Sequence, residues 1–387
     1  MGSHFWKLFD IAKGKKVVHM KKKVLLVSCQ GLGRGGVQSV LMNIVRDLSD
    51  EFQFDIIVFT KDKRYYEDEF ESYGGKIFRI PCYFGRNKVK ANIEYYIRAV
   101  RLMKEVKRIL KDNGPYKAIH CSNNYESGLF VKVAHDLGVP NRIVHVHIIC
   151  GKYFFLRRPI NSLYMKWIKN YATDAIGCSA EACNSFYGKE IYGTVVNNMY
   201  DNEKFNPERY SNPDYEHIRL IQIGSYSNLK NQKFTVMVLE KLRKLGCVAD
   251  LRFVGFDLQG TYEKDLRRLV AERKLESIVE FYPHDANIPQ LLSESTALVM
   301  PSIEEGFGMV LIEGQAMGIR CYASDSIPKA TDCGGCVYLS LNVGSMEWAK
   351  KIQKDFCEGL QLHRRYDCSR FSKQYVLKEY SDLYTKH

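Results

Sequence analysis

Two α/β domains, each a parallel sheet doubly wound with helices and facing the other across a cleft, are what this sequence predicts, on three observations. The chain has 387 residues, too long for one ordinary domain and comfortable for two, each able to bury its own core. Short apolar runs alternate with amphipathic stretches almost from end to end, and continuous rather than alternating apolarity marks strands buried on both faces. A polar, strandless interval from Tyr200 to His217 (YDNEKFNPERYSNPDYEH) divides the series near its middle and reads as the linker.

The candidate strands are Val24–Ser28, Asp55–Phe59, Ala118–His120, Arg142–His147 and Ala175–Ser179 before the linker. After it come Leu220–Ile223, Leu251–Val254, Val279–Phe281, Ala297–Met300, Cys321–Ala323 and Val337–Leu339. Between them lie helical stretches such as Val37–Leu48, with Val37, Val40, Leu41, Ile44, Val45 and Leu48 on one stripe, and Gln232–Leu242, with Phe234, Val238, Leu239 and Leu242. Strand, helix, strand repetition is the mark of a Rossmann-like sheet. Such sheets bind ligands at the C-terminal ends of their strands, so two of them offer two half-sites around one cleft. The expected divisions are 1–19 as a tag or leader, 20–200 as the first domain, 201–368 as the second, and 369–387 as a terminal helix. Met1 to His19 begins "MGSH" and is set aside from fold reasoning, although Phe5, Trp6, Leu8, Phe9 and Ile11 against Lys7, Lys13, Lys15 and Lys16 also suit a short interfacial helix. The terminal stretch carries Val376, Tyr380, Leu383 and Tyr384 at helical spacing; from pattern alone it fits a helix on the second domain as well as one that crosses back to the first.

The composition, 45% hydrophobic and 26% charged, is that of a soluble globular protein, and no apolar run is long enough to span a bilayer. A formal charge of +13 calls for an anionic partner: nucleic acid, a phosphate-rich ligand or an acidic membrane surface. The basic residues crowd Arg86 to Lys117 and recur at Arg157, Arg158, Lys166 and Lys169; solvated helix faces are the plain reading. No aromatic-basic platform with motif spacing appears, so nucleic acid is not expected as a partner. Glu67-Asp68-Glu69 reads as a solvated face. Twelve cysteines without framework spacing suit reduced thiols in a cytosol. Cys333-Gly-Gly-Cys336 has metal-ligand spacing but no second pair, and reads as incidental loop cysteines.

The glycine loop "QGLGRGGVQ", Gln30 to Gln38, follows the first strand, and Gly31-x-Gly33-x-x-Gly36 has dinucleotide-loop spacing. A dehydrogenase places Asp or Glu at the end of the second strand, yet Phe59 is followed by Thr60-Lys61-Asp62-Lys63-Arg64. Lys61 or Arg64 could serve a 2′-phosphate, which keeps an NADP-dependent oxidoreductase as the alternative.

That alternative leaves "PSIEEGFGMVLIEGQAMGIRCYASD", Pro301 to Asp325, unexplained. Strand, glycine loop and helix make an anion-cradling unit there, because free backbone N–H groups and the helix dipole point at whatever sits before Met309. Glu305 and Glu313, seven residues between them, bracket the loop. Carboxylates near a phosphate are repelled, so these two suit sugar hydroxyls, with charge-assisted bonds of roughly 1.5–3 kcal/mol each. Two solvated acids are the competing reading.

Glu305-Gly-Phe-Gly-Met-Val-Leu-Ile-Glu313 resembles the E-x7-E signature of retaining glycosyltransferases of family 4, which have the GT-B fold. The resemblance runs over nearly the whole chain from about Met20. Gly35-Gly36-Val37-Gln38 resembles the family's first glycine loop, and "RIVHVH", Arg142 to His147, its central-strand histidine motif. "ATDAIGCSAEA" (Ala172 to Ala182) and "VVNNMYDNEKF" (Val195 to Phe205) resemble segments leading out of the first domain; "IGSYSNLKNQ" (Ile223 to Gln232) resembles the diphosphate loop, and "SDSIPKAT" (Ser324 to Thr331) the bacterial exopolysaccharide and capsule branch.

The resemblance implies roles. Glu313 would hold the ribose of a nucleotide sugar, on family grounds a UDP-sugar, and Glu305 the hydroxyls of the transferred sugar. N–H groups of Gly308, Met309 and Val310, in the loop that carries Phe307, would bind the diphosphate with Lys230. Gly35 and Gly36 would approach the donor phosphate from the first domain. His147 would lie beside the sugar; His145 shares its face by strand alternation, and either also reads as a core histidine. Ser225 stands where many relatives carry an Arg, and Asn197-Asn198-Met199 replaces the usual Pro-Asn-Gly.

A retaining, front-face transfer follows, with no cofactor and no metal: the leaving diphosphate would be neutralised by Lys230 and helix N–H groups. The acceptor implied is a glycan or a polyprenyl-diphosphate-linked oligosaccharide of bacterial surface polysaccharide synthesis. The basic first-domain face would dock on anionic lipid at the inner face of the cell membrane, making a cytoplasmic, peripheral protein. An inactive GT-B module that only binds glycan or lipid is a further alternative.

Overall fold

The structure is a computed structural model, and it describes residues 21–387 apart from 29–30, 34, 83–87, 148–156, 190, 211–215, 258–259 and 361–363. The leader reading of Met1 to His19, and Cys29, Arg86 and Cys150, lie outside the described residues.

Strands β1 (Lys22–Ser28), β2 (Phe52–Val58), β3 (Ile77–Arg79), β4 (Ala118–Cys121), β5 (Asn141–Val146), β6 (Asp174–Gly177) and β7 (Thr194–Val195) form one sheet in the order β3-β2-β1-β4-β5-β6-β7. Every pairing in it is parallel. Val24, Leu25, Leu26 and Val27 are fully buried because the sheet is covered on both sides. Val24 and Leu26 face α1 (Gly36–Leu48), whereas Leu25 and Val27 face the core built by α3 (Lys88–Asn113), α4 (Ser127–Asp136), α5 (Arg158–Tyr171) and α6 (Ala180–Tyr187). Each buried aliphatic side chain of this kind contributes roughly 1.5–3 kcal/mol.

The second sheet holds β8 (Ile218–Ile223), β9 (Ala249–Gly255), β10 (Val279–Pro283), β11 (Ala297–Met300), β12 (Arg320–Ser324) and β13 (Cys336–Leu339), in the order β10-β9-β8-β11-β12-β13, again all parallel. Its layers are α7 (Gln232–Lys244), α8 (Tyr262–Glu272) and α11 (Gly344–Cys357) on one face, and α9 (Ile288–Ser293) and α10 (Met309–Ala316) on the other. All eleven strands read from apolar runs are present. Strands β3 and β7 escape that reading because they are short edge strands with accessible side chains and no continuous apolar run.

Helix α12 (Lys373–Thr385) packs on the first domain. Val376, Tyr380 and Tyr384 are fully buried with α1 and β1 residues, and Asn141 Nδ2 donates to the Tyr384 carbonyl at 3.0 Å. The two segments that run between the domains are tied to each other: Tyr200 N–H donates to the Phe371 carbonyl at 2.9 Å, and Lys373 pairs with Asp201 at 3.1 Å.

Two readings of charge need correction. Glu67 is not solvated: it opens α2 (Glu67–Ser72), is 1% exposed and pairs with Arg79 on β3, while Glu69 pairs with Arg46 at 2.5 Å. Arg98, within the basic run, is buried against Glu126 at 2.6 Å, because α3 turns that face onto the turn after β4.

Candidate functional site

In the second domain the chain leaves β8 through Gly224 and reaches α7 through a loop braced from below. Buried Gln222 donates through Nε2 to the Lys230 carbonyl at 2.7 Å and accepts from the Thr235 hydroxyl at 2.6 Å. Gln232 Nε2 donates to the Ser225 carbonyl at 3.0 Å. Gly255 permits this path, since a Cβ there would stand 2.1 Å from the Gly224 carbonyl oxygen.

The loop after β11 is stitched to this one. Ile303 N–H donates to the Leu229 carbonyl at 2.8 Å, and Asn231 Nδ2 to the Pro301 carbonyl at 3.2 Å. The stitching brings Lys230 Nζ against Glu305 Oε2 as an ion pair, so two residues 75 positions apart share one hollow of 290 Å³, lined also by Ser225, Ser227, Leu229, Glu304 and Gly306. A hollow of 410 Å³ adjoins it through Ser225 and Ser227, and a third of 390 Å³ continues past Tyr226 and Asp257 to His284. Together they form a groove along the C-terminal ends of the strands.

Helix α10 starts at Gly308, which caps it at φ 96°, a left-handed conformation that glycine adopts without strain. No side chain caps this end and no acid stands in its first turn, so the N–H groups of Met309 and Val310 meet an approaching anion together with the positive end of the dipole. Phe307 is buried edge-on against Phe371, ring centroids 6.0 Å apart, which pins the loop to the returning segment. Glu313 lies one turn into α10; burial pushes its carboxyl up to about 7, against a smaller opposite pull from Lys204.

In the first domain Gly35 is the N-cap of α1, with extended backbone and no side-chain cap. Where a Cβ would stand at Gly33 or Gly36 there is open space within 4 Å, so a ligand can approach the backbone. Gly31 has φ 69°, and a Cβ there would meet the Thr60 hydroxyl at 2.7 Å. Lys61 and Arg64, the residues on which the dinucleotide alternative depends, are exposed.

His147 follows β5 at the same edge of the sheet, 8% exposed, its Nε2 3.2 Å from the Ser122 hydroxyl. Burial pushes its imidazole down to about 4, with the Asn198 carboxamide pulling the other way. His145 is fully buried and its ring lies 3.7 Å from that of His147. Among the described residues no group of three His, Cys, Asp or Glu side chains is placed to hold a metal ion.

The structure thus brings Lys230, Glu305, Phe307, Gly308, Met309, Val310 and Glu313 to one edge of the second sheet, and Gly35, Gly36 and His147 to the matching edge of the first. Pattern reading missed Gln222, Ser122 and Asn198. A glutamine inside the apolar run of β8 was the available signal for the first, and the departure of Asn197-Asn198-Met199 from the usual Pro-Asn-Gly for Asn198; nothing local marks Ser122.

Two parallel Rossmann-like sheets with their loops so arranged define the GT-B fold, and residues 205–332 match the family described as Glycosyl transferases group 1. The chain is similar to several bacterial proteins along most of its length. It is 28% identical over 357 residues to the Bacillus subtilis protein EpsF, covering 88% of this chain and 89% of that one. It is 24% identical to the capsular polysaccharide biosynthesis glycosyltransferase CapH of Staphylococcus aureus (73% and 76% covered). To the Escherichia coli UDP-Gal:alpha-D-GlcNAc-diphosphoundecaprenol alpha-1,3-galactosyltransferase it is also 24% identical (80% and 81% covered). Among solved structures, Anabaena HepE in complex with UDP superposes with a TM-score of 0.73 at 15% identity, over 95% of this chain and 100% of that one.

Proposed function

We propose that this protein is a retaining, metal-independent glycosyltransferase of family 4 that moves a sugar from a UDP-sugar to a lipid-linked or glycan acceptor in bacterial surface polysaccharide synthesis. The observation that carries the reading is the Lys230–Glu305 pair at the foot of α10, with Glu313 one turn further along the same helix. Lys230 and the N–H groups of Met309 and Val310 would take the diphosphate, Glu305 the hydroxyls of the transferred sugar, and Glu313 the ribose. His147 would face the sugar from the first domain. Negative charge developing on the leaving phosphate meets a preorganised cation and helix end, and in a front-face transfer that phosphate oxygen takes the acceptor's proton. The choice of uridine and of a lipid-linked acceptor leans on the donor and acceptor named for the Escherichia coli relative.

Docking at an anionic membrane surface belongs to the same reading, and helix α3 supports it. Ile93, Tyr96, Ile97 and Val100 fall on one face and are 56%, 39%, 62% and 74% exposed, with Arg101, Lys104, Lys107, Arg108 and Lys111 exposed further along. An exposed apolar stripe beside cations suits the boundary between acyl chains and anionic headgroups.

The test is nucleoside diphosphate release from a panel of UDP-, GDP- and ADP-sugars by wild type and Glu305→Ala, with NADP binding as a control. Release from one donor, lost in the variant, is the expected result. Binding of NADP with no release from any sugar nucleotide would replace the reading with the dinucleotide alternative.

A further inference from the structure

Two helices of the first domain begin at the C-terminal edge of its sheet and meet there: α3 follows β3, and α5 follows β5, the strand that leads to His147. Side chains join their opening turns. Arg157, which caps α5, donates through Nε to Asn92 Oδ1 at 2.7 Å, and the Tyr95 hydroxyl donates to Asn161 Oδ1 at 2.9 Å. The Tyr95 ring lies against two guanidiniums, Arg157 at 4.4 Å and Arg98 at 4.7 Å from its centroid.

Charge does not balance in this cluster. Arg98 and Glu126 are both buried and take each other up at 2.6 Å. Arg157, half-buried, makes no ion pair among the described residues, and its hydrogen bond there is the one from Nε to Asn92. Two guanidiniums and one carboxylate leave one positive charge, to which the acid-free first turns of α3 and α5 add the positive ends of their dipoles. An arginine held through Nε and stacked on an aromatic ring keeps its Nη1 and Nη2 edge in a fixed plane, and that edge is the fork that fits a phosphate. Tyr164, its ring edge-on to Tyr95 at 6.3 Å, is also buried with its hydroxyl unpartnered, so the cluster lacks an acceptor as well as a negative charge.

The place of the fork decides which phosphate. On one side Ile93 and Tyr96, next to Asn92 and Tyr95 on α3, belong to the exposed apolar stripe. On the other side Glu126 lies in the short turn after β4 that also holds Ser122, whose hydroxyl is 3.2 Å from His147 Nε2. Apolar stripe, cationic fork and cleft stand in that order, which is the order of lipid, diphosphate and sugar in a polyprenyl-diphosphate-linked glycan.

We propose that Arg157, held by Asn92 and Tyr95, binds the diphosphate of the lipid-linked acceptor and selects acceptors joined to their lipid through diphosphate. That the bound lipid is an acceptor rests on the function proposed above; that the fork takes a lipid diphosphate does not.

Vesicle flotation of the whole chain, with no sugar nucleotide present, tests it. Phosphatidylcholine vesicles carrying undecaprenyl diphosphate are compared with phosphatidylcholine vesicles carrying phosphatidylglycerol at equal surface charge. Wild type should bind the diphosphate vesicles roughly 10-fold more tightly, the scale of one charge-assisted bidentate contact. Arg157→Ala should bind both kinds equally, and Arg157→Lys, which keeps the charge and loses the fork, should retain only part of the preference. Retained phosphatidylglycerol binding and cooperative melting show that both variants are folded. Lys230→Ala should keep the preference. No preference in wild type, a preference that survives Arg157→Ala, or one that is lost in Lys230→Ala and so belongs to the donor loop, overturns the proposal. Inorganic pyrophosphate separates the sources: it should compete weakly, and potency equal to that of the lipid would make the fork a site for the free anion and overturn the lipid assignment. Nucleoside diphosphate release is scored separately, so release without this preference removes the fork and leaves the transferase standing, while preference without release does the reverse.

Discussion

Lys230 and Glu305 pair across two stitched loops, so that the cation expected to meet a diphosphate neutralises, in the free protein, the carboxylate expected to meet a sugar. Both are largely but not wholly shielded, 24% and 16% exposed. A ligand bearing diphosphate and hydroxyls together can satisfy both groups at once; one bearing either alone leaves the other side of an opened pair unmatched. Lys230→Ala should therefore weaken binding of a UDP-sugar by roughly 10- to 100-fold, the scale of one charge-assisted hydrogen bond, as read by calorimetry. Glu305→Gln should spare nucleotide binding and lower turnover. Equal affinity of Lys230→Ala and wild type would remove the lysine from the site.

Glu313 makes donor binding sensitive to pH. Its carboxyl is pushed up to about 7 by burial, and the ionised form accepts hydroxyl hydrogen bonds more strongly. Affinity for a sugar nucleotide, whose diphosphate does not titrate near neutrality, should rise from pH 6 to pH 8, and Glu313→Gln should flatten the rise. The sign for stability is opposite: a carboxyl with a raised folded pKa binds more protons folded than unfolded between its ordinary 4.5 and about 7, so folding of the free protein loses stability across that interval as pH rises.

Three buried histidines of the first domain, His120, His145 and His147, predict loss of stability on the acid side. His120 is pushed down to about 3 and His147 to about 4, burial being the larger cause in each, and His145 is also held well below its ordinary 6.5. The unfolded chain takes up these protons near 6.5 while the folded one refuses them, so stability is complete above that pH and drains as pH falls toward about 4. Urea midpoints measured at pH 7 and pH 4.5 should differ less in His145→Gln than in wild type.

Helix α3 predicts a separable membrane contact. Ile97→Glu and Val100→Glu place charges at positions 62% and 74% exposed, so folding should be unaffected within about 0.5 kcal/mol. Wild type should sediment with anionic liposomes at low salt and be released at high salt, and the two variants should stay in the supernatant. Sedimentation of the variants equal to wild type would move the contact elsewhere.

Most of the fold was legible because buried parallel strands leave continuous apolar runs: Ala297–Met300 was bounded residue for residue, and Gly308 at the head of α10 announced itself through its neighbours. The candidate site was legible where chemistry is local, as in Glu305 to Glu313. It was illegible where function comes from long-range placement. Nothing near Asn198 or Ser122 says that each meets His147, and Glu67 looked solvated because its partner Arg79 lies on a three-residue edge strand without a pattern of its own.

The seating of α12 on the first sheet has a consequence for how the molecule comes to be folded during synthesis. Val376, Tyr380 and Tyr384 fill the layer beside α1, so the first domain is completed by residues translated after the second. Until the chain has returned, the part of the layer beside α1 that α12 fills stands open to water, and the second domain can reach completion before the first.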